Sequence, residues 1–124
     1  MMTHENSTDK FLVNCQEGAN NLERATISFI LATTASNTCE TKMFLTSDAA
    51  PLCTKGGADG LVADGYEPIS DLISQFLGNG GKIWLCKICA KVKNITEEDL
   101  LDGVEIVGAP HTMAFLAGGA HVLA

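Results

Sequence analysis

Short apolar runs bounded by polar or glycine-rich positions recur along this chain, alternating with segments whose apolar residues repeat at helical spacing. Phe11-Leu12-Val13-Asn14 reads as a first buried strand. From Leu22 to Thr34, Leu22, Ala25, Phe29 and Ala32 follow the helical period, flanked by Ile27, Ile30 and Leu31. So wide an apolar face fits a helix laid on a sheet. Lys42 to Thr46 is a second strand, followed by a loop from Asp48 to Gly60 holding a short helix around Ala50 to Lys55. Pro68 sits at a plausible first turn, and Ile69, Leu72, Ile73, Phe76 and Leu77 form the apolar stripe of a helix stopped by Gly78-Asn79-Gly80-Gly81. Lys82 to Leu85 is a third strand. Thr96 with Asp99 three positions on is a variant capping box opening a short helix through Leu101. Asp102-Gly103 turns into a fourth strand, Val104 to Val107. Pro110 opens a last helix from His111 to Ala117, and His121-Val122-Leu123 adds a fifth strand.

Strands alternating with helices across short loops predict βαβ units: an α/β fold, a three-layer α/β/α sandwich on a mainly parallel five-stranded sheet, flavodoxin-like in outline. Parallel strands require right-handed crossovers. The 124 residues suffice for one domain, 46% of them hydrophobic, so neither disulfides nor a metal is needed for a core. Residues 1–10 are polar and read as a flexible leader, leaving 11–124 as the single domain. That leader lacks the apolar centre of a signal peptide. The longest charge-free run, Ala109 to Ala124, is too short for a bilayer and contains His111, Gly118, Gly119 and His121. A cytoplasmic location is the expectation, with no membrane partner. Five cysteines, an odd count without secretory context, are expected to be reduced.

A formal net charge of −7 disfavours nucleic acid and anionic lipid as partners. The sign is uneven. No acidic residue lies between Asp71 and Glu97, a window holding Lys82, Lys87, Lys91 and Lys93, so it carries +4 against −11 elsewhere. Inside it lies Cys86-Lys87-Ile88-Cys89. A solvated lysine face explains such a window; a positive potential that favours thiolate over thiol explains it equally.

Loops following parallel strands emerge on one rim, where such folds place their sites. Cys15 follows the first strand, Cys53 the second, Cys86 and Cys89 the third and His111 the fourth, while Cys39 lies at the opposite end. Cys86 stands where a strand passes into a helix, beside Lys87 and Lys91, a setting suited to a nucleophilic thiol that attacks sulfur electrophiles or carries a persulfide. Cys89 can resolve it, with Lys87, His111, Cys15 and Cys53 as auxiliary candidates. Taken singly, Cys15, Cys39 and Cys53 also read as small buried hydrophobes.

A thioredoxin-like reading is weak, since Trp84 lies one residue too far from Cys86 and Pro110 opens a helix instead of leading a strand. A structural zinc site could draw on Cys86, Cys89 and two of Cys15, Cys53 and His111, but only one ligand pair has the expected spacing. Gly56 to Gly60 and Gly78 to Lys82 lack the context of a phosphate loop and are turns. No cofactor is implied. His4 and His121 read as incidental.

The stretch Lys82-Ile83-Trp84-Leu85-Cys86-Lys87-Ile88-Cys89, then Asn94 to Leu100 and Gly103 to Ala109, resembles the DsrE/DsrF-like family, which includes TusD-type sulfur relay subunits and peroxiredoxin-like proteins. The resemblance extends over residues 10–124. It implies a compact α/β/α fold assembled as trimers or hexamers. In its sulfur-relay members a cysteine aligned with Cys86 carries a persulfide and passes sulfur to a small partner protein, a sulfurtransferase-like role. Cys89 matches only members with a second cysteine, and Lys93-Asn94 replaces the usual Arg-Gly step. The alternative is a non-catalytic oligomeric module that binds a small ligand or serves assembly.

Overall fold

The computed structural model describes residues 8–123. Five strands form one sheet: β1 (Lys10–Cys15), β2 (Glu40–Leu45), β3 (Lys82–Cys86), β4 (Val104–Val107) and β5 (Ala120–Leu123). The helices are α1 (Leu22–Ser36), α2 (Ile69–Gly78), α3 (Lys87–Val92) and α4 (Ala109–Ala117). The spatial order is β4-β3-β2-β1-β5 and every pairing is parallel. The α/β fold with a parallel five-stranded sheet is the one the hydrophobic pattern predicts.

The order follows from handed crossovers. From β1 to β4 the chain steps outward one strand at a time, and right-handed connections put α1, α2 and α3 on the same face. Val13, Cys15, Met43, Leu45, Ile83 and Leu85 alternate along the strands and meet Ala25, Phe29, Ala32, Leu72, Ile73, Phe76 and Ala90 of those helices in the main core. The chain then returns across the other face through α4 to set β5 beside β1. Leu12, Trp84 and Val107 point that way and pack with Phe44, Phe115 and Leu116 in a smaller cluster. Lys42, also on this face, pairs with Glu40 at 3.3 Å and stands 5.9 Å from the Trp84 ring centre and 5.8 Å from that of Phe115.

Several boundaries differ from the pattern. β1 begins at Lys10, paired with Glu40 and Ala120, so the leader reading is too long by that residue; residues 1–7, including His4, lie outside the described residues. The helix expected at Ala50 to Lys55 is a 3-10 segment, Ser47–Cys53, with Pro51 inside it; proline lacks the N–H that an α-helix would use there. Pro68 caps α2 from outside. The element at Thr96 is a single 3-10 turn, Glu97–Asp99, closed by the expected box: the Thr96 N–H and hydroxyl donate to the Asp99 carboxylate at 2.9 and 3.1 Å.

Candidate functional site

The C-terminal rim of the sheet is built by the turns after β1, β2, β3 and β4. One strand in from its edge, β3 ends in Cys86, paired in register with Val107, and Cys86 is also the residue that caps α3. Its side chain is partly exposed and is a thiol, as are all five cysteines. Counted from this cap, Cys89 occupies the third helical position, and cap and third-position side chains adjoin across a first turn, the geometry a capping box uses.

Cys89 has a fixed partner. The backbone N–H of Ser47 donates to Cys89 Sγ at 3.2 Å. Ser47 begins the turn after β2 and holds φ +52°, a left-handed conformation uncommon outside glycine. Two contacts fix this turn: the Thr46 N–H donates to the Cys15 carbonyl at 3.0 Å, and the Asp48 carbonyl lies directly over Gly18, where any Cβ would collide with it. The turns after β1, β2 and β3 are thereby connected through Gly18, Asp48, Ser47 and Cys89.

The far end of α3 is equally specified. Asn94 takes φ +57°, its N–H donates to the Lys91 carbonyl at 3.2 Å, and the Ile95 N–H donates to the Ala90 carbonyl at 2.8 Å. These two bonds are a Schellman ending. Asparagine suits this position because it tolerates the left-handed region better than most other side chains do.

The remaining rim residues separate by depth. Cys15 is 1% and Cys53 0% exposed, so neither reaches solvent in the folded state. Cys15 continues the inward alternation of Val13, and burial pushes its thiol up, against the opposing effect of hydrogen bonds with Ser28 and the Glu17 carbonyl. Burial likewise drives the Cys53 thiol from an ordinary 9.0 up to about 12, and its Sγ lies 3.2 Å from the Ala50 carbonyl. Both side chains pack in the main core, unlike the partly exposed Cys86. Cys39 lies in the turn before β2, at the opposite edge as expected. His111 is exposed in the first turn of α4, its ring edge-on to Trp84 at 4.6 Å. The zinc set is not assembled: among the described residues no three His, Cys, Asp or Glu side chains converge to hold a metal ion. His121 packs against Phe11 at 5.5 Å.

A pH dependence of stability follows from Cys53. Unfolding lets this thiol ionise from about pH 9, while the folded state retains its proton up to about pH 12. The unfolded state then binds fewer protons, so stability falls with rising pH across that interval, by about 1.4 kcal/mol per pH unit for such a group. Urea midpoints should hold steady below about pH 8.5 and drop above about pH 9. Cys53→Ala should make the drop shallower, the buried Cys15 thiol contributing to what remains; an unchanged slope would refute the assignment.

One cavity of about 270 Å³ opens beside the end of β1, lined by Asn14, Gln16, Glu17, Arg24, Ile27, Ser28 and Leu31. Another, of about 410 Å³, lies between α2 and the segment before β4. Neither is lined by a cysteine. The sequence did not signal the first of them, whose walls come from two elements with ordinary surface composition.

Fold and rim together define an α/β protein with an all-parallel sheet and a partly exposed dithiol where its third strand passes into a helix. A family model described as the DsrE/DsrF-like family matches residues 9–124, and the chain belongs to that family. Among curated proteins it is 32% identical over 108 residues to the uncharacterized protein MJ0760 of Methanocaldococcus jannaschii. The match takes in 86% of this chain and 39% of that protein, so the chain spans about two fifths of its relative's length. Among solved structures it is similar to the ychN protein of E. coli (TM-score 0.65, 19% identity, 94% of this chain and 99% of that one). It is also similar to MTH1491 of Methanobacterium thermoautotrophicum (TM-score 0.67, 17% identity, 93% and 97%). A third similar structure is BT1422 of Bacteroides thetaiotaomicron (TM-score 0.62, 18% identity, 93% of each). At these identities the solved structures speak to the fold alone.

Proposed function

We propose that this chain is a thiol carrier of sulfane sulfur, loaded and unloaded at Cys86 in intracellular sulfur transfer within the cytoplasm. The observation that carries the reading is the contrast in depth along one rim: Cys86 is partly exposed at the strand tip, while Cys15 and Cys53 are enclosed. Membership of the DsrE/DsrF-like family, which the sulfur relay proteins share, supports it. Among the described residues no helix is long and apolar enough to cross a membrane.

The chemistry is a pair of displacements at sulfur. In delivery, an acceptor thiolate attacks the outer sulfur of the Cys86 persulfide. The S–S bond breaks, its electron pair leaves on Cys86 Sγ, and the acceptor keeps the sulfur; no external oxidant or reductant is required. In resolution, the Cys89 thiolate attacks Cys86 Sγ instead. A Cys86–Cys89 disulfide forms, and the outer sulfur departs with the electron pair as hydrosulfide. The Ser47 N–H, already directed at Cys89 Sγ, holds the resolving sulfur in place.

Alkylation of the native protein near neutral pH, followed cysteine by cysteine by mass spectrometry, tests the reading. Cys86 should react at least about a hundredfold faster than Cys15 and Cys53, because exposure and thiolate character set such rates. A Cys86 as slow as Cys53 would favour the alternative, a non-catalytic module of the same fold.

Self-association into a trimer or hexamer is part of the proposal. The α4–β5 segment carries no charged residue, and Met113 and Val122 are 60% and 55% exposed. Light scattering should give an oligomeric mass that Met113→Lys with Val122→Lys reduces to that of a monomer. A wild-type monomer would remove this part.

A further inference from the structure

Helix α3 buries only Ala90, and Ile88 and Val92 are each 73% exposed, more than the other exposed large hydrophobic residues of the described structure. At about 100° per residue the helix carries distinct rows. Lys87 and Lys91 form one, Ile88 and Val92 the next, then Cys89, and Ala90 faces the core. The apolar row is thus flanked by positive charge on one side and by the dithiol on the other. Lys93 extends the charge past the helix end. Among the described residues no carboxylate forms an ion pair with Lys87, Lys91 or Lys93. Single exposed aliphatic side chains are ordinary, but an adjacent pair between a partly exposed cysteine pair and an unneutralised lysine row is a surface suited to a partner.

We propose that α3 is a docking face for an acidic protein segment with aliphatic side chains, which brings its own thiol to Cys86. The carboxylates meet the lysine row and the aliphatic groups cover Ile88 and Val92. The purpose assigned to the contact rests on the carrier reading of Cys86; the contact itself does not. A second copy of this chain fits less well, because a contact through its own α3 would bring further lysines to a face that is already positive.

The test uses a short fluorescein-labelled peptide of alternating glutamate and leucine with one cysteine, and a control with lysine in place of glutamate. By fluorescence anisotropy at low ionic strength the acidic peptide should bind at least about tenfold more tightly than the control. About 0.5 M salt should remove most of that advantage. Lys91→Glu with Lys93→Glu should weaken the acidic peptide about tenfold, as should Ile88→Ser with Val92→Ser. The serine pair should also slow sulfur transfer from Cys86 to the peptide thiol about tenfold, while loading by a small persulfide donor proceeds unchanged. Equal binding of the two peptides, indifference to both variants, or self-association lost only in the α3 variants would overturn the proposal. If binding follows the stated pattern but Cys86 takes up no sulfur, the docking face stands and the carrier reading fails.

Discussion

Cys86→Ser should abolish sulfane sulfur loading while leaving the fold intact. The side chain is partly exposed and makes no capping hydrogen bond with α3, so serine replaces it with little change in packing. What disappears is the nucleophile, because a serine hydroxyl remains protonated at neutral pH and forms no persulfide. After incubation with a small donor, intact-mass analysis should show one added sulfur on the wild type and none on the variant. Cys89→Ser should load but release no hydrosulfide and form no internal disulfide. Equal loading of Cys86→Ser would transfer the chemistry to another thiol and end the assignment.

The second large effect concerns a residue that performs no chemistry. Gly18→Ala should destabilise the fold by about 2–3 kcal/mol, the upper part of the range for overpacking a tight contact. The new methyl group meets the Asp48 carbonyl oxygen, a backbone atom with little freedom to retreat. Displacing Asp48 also displaces Ser47, whose N–H holds Cys89 Sγ. The variant should therefore lose stability in urea and, where it remains folded, alkylate faster at Cys89 than the wild type does. By contrast Gly60→Ala, in open space although at φ +75°, should leave Cys89 reactivity unchanged. A Gly18→Ala protein with native stability and native Cys89 reactivity would show that the rim turns are not coupled.

Much of this architecture is legible in the amino-acid sequence. Strands that alternate with helices and short loops admit few arrangements, and right-handed crossovers reduce them further. The place of Cys86 at a strand end followed from Lys82 to Leu85 being apolar and Lys87 onward being helical. Depth was harder. The strand order puts Cys15 on this rim, and alternation with Val13 turns its side chain inward. Cys53 gave no such signal, because its 3-10 segment has neither a helical nor a strand period. The Ser47–Cys89 contact joins residues 42 positions apart through a left-handed serine. Neither composition nor spacing encodes such a turn. Asn94 takes a left-handed conformation that few side chains other than asparagine tolerate, which its place after α3 requires.

The sheet order bears on how the molecule is made. β1 is made well before β5, yet one of its edges is covered only by β5, with Lys10 meeting Ala120. Until those late residues appear, a nascent chain presents a strand edge open to neighbouring chains, a known hazard for non-local pairing. Slower translation of the segment that forms β5 should therefore lower the soluble yield more than comparable slowing over the segments forming β2 and β3.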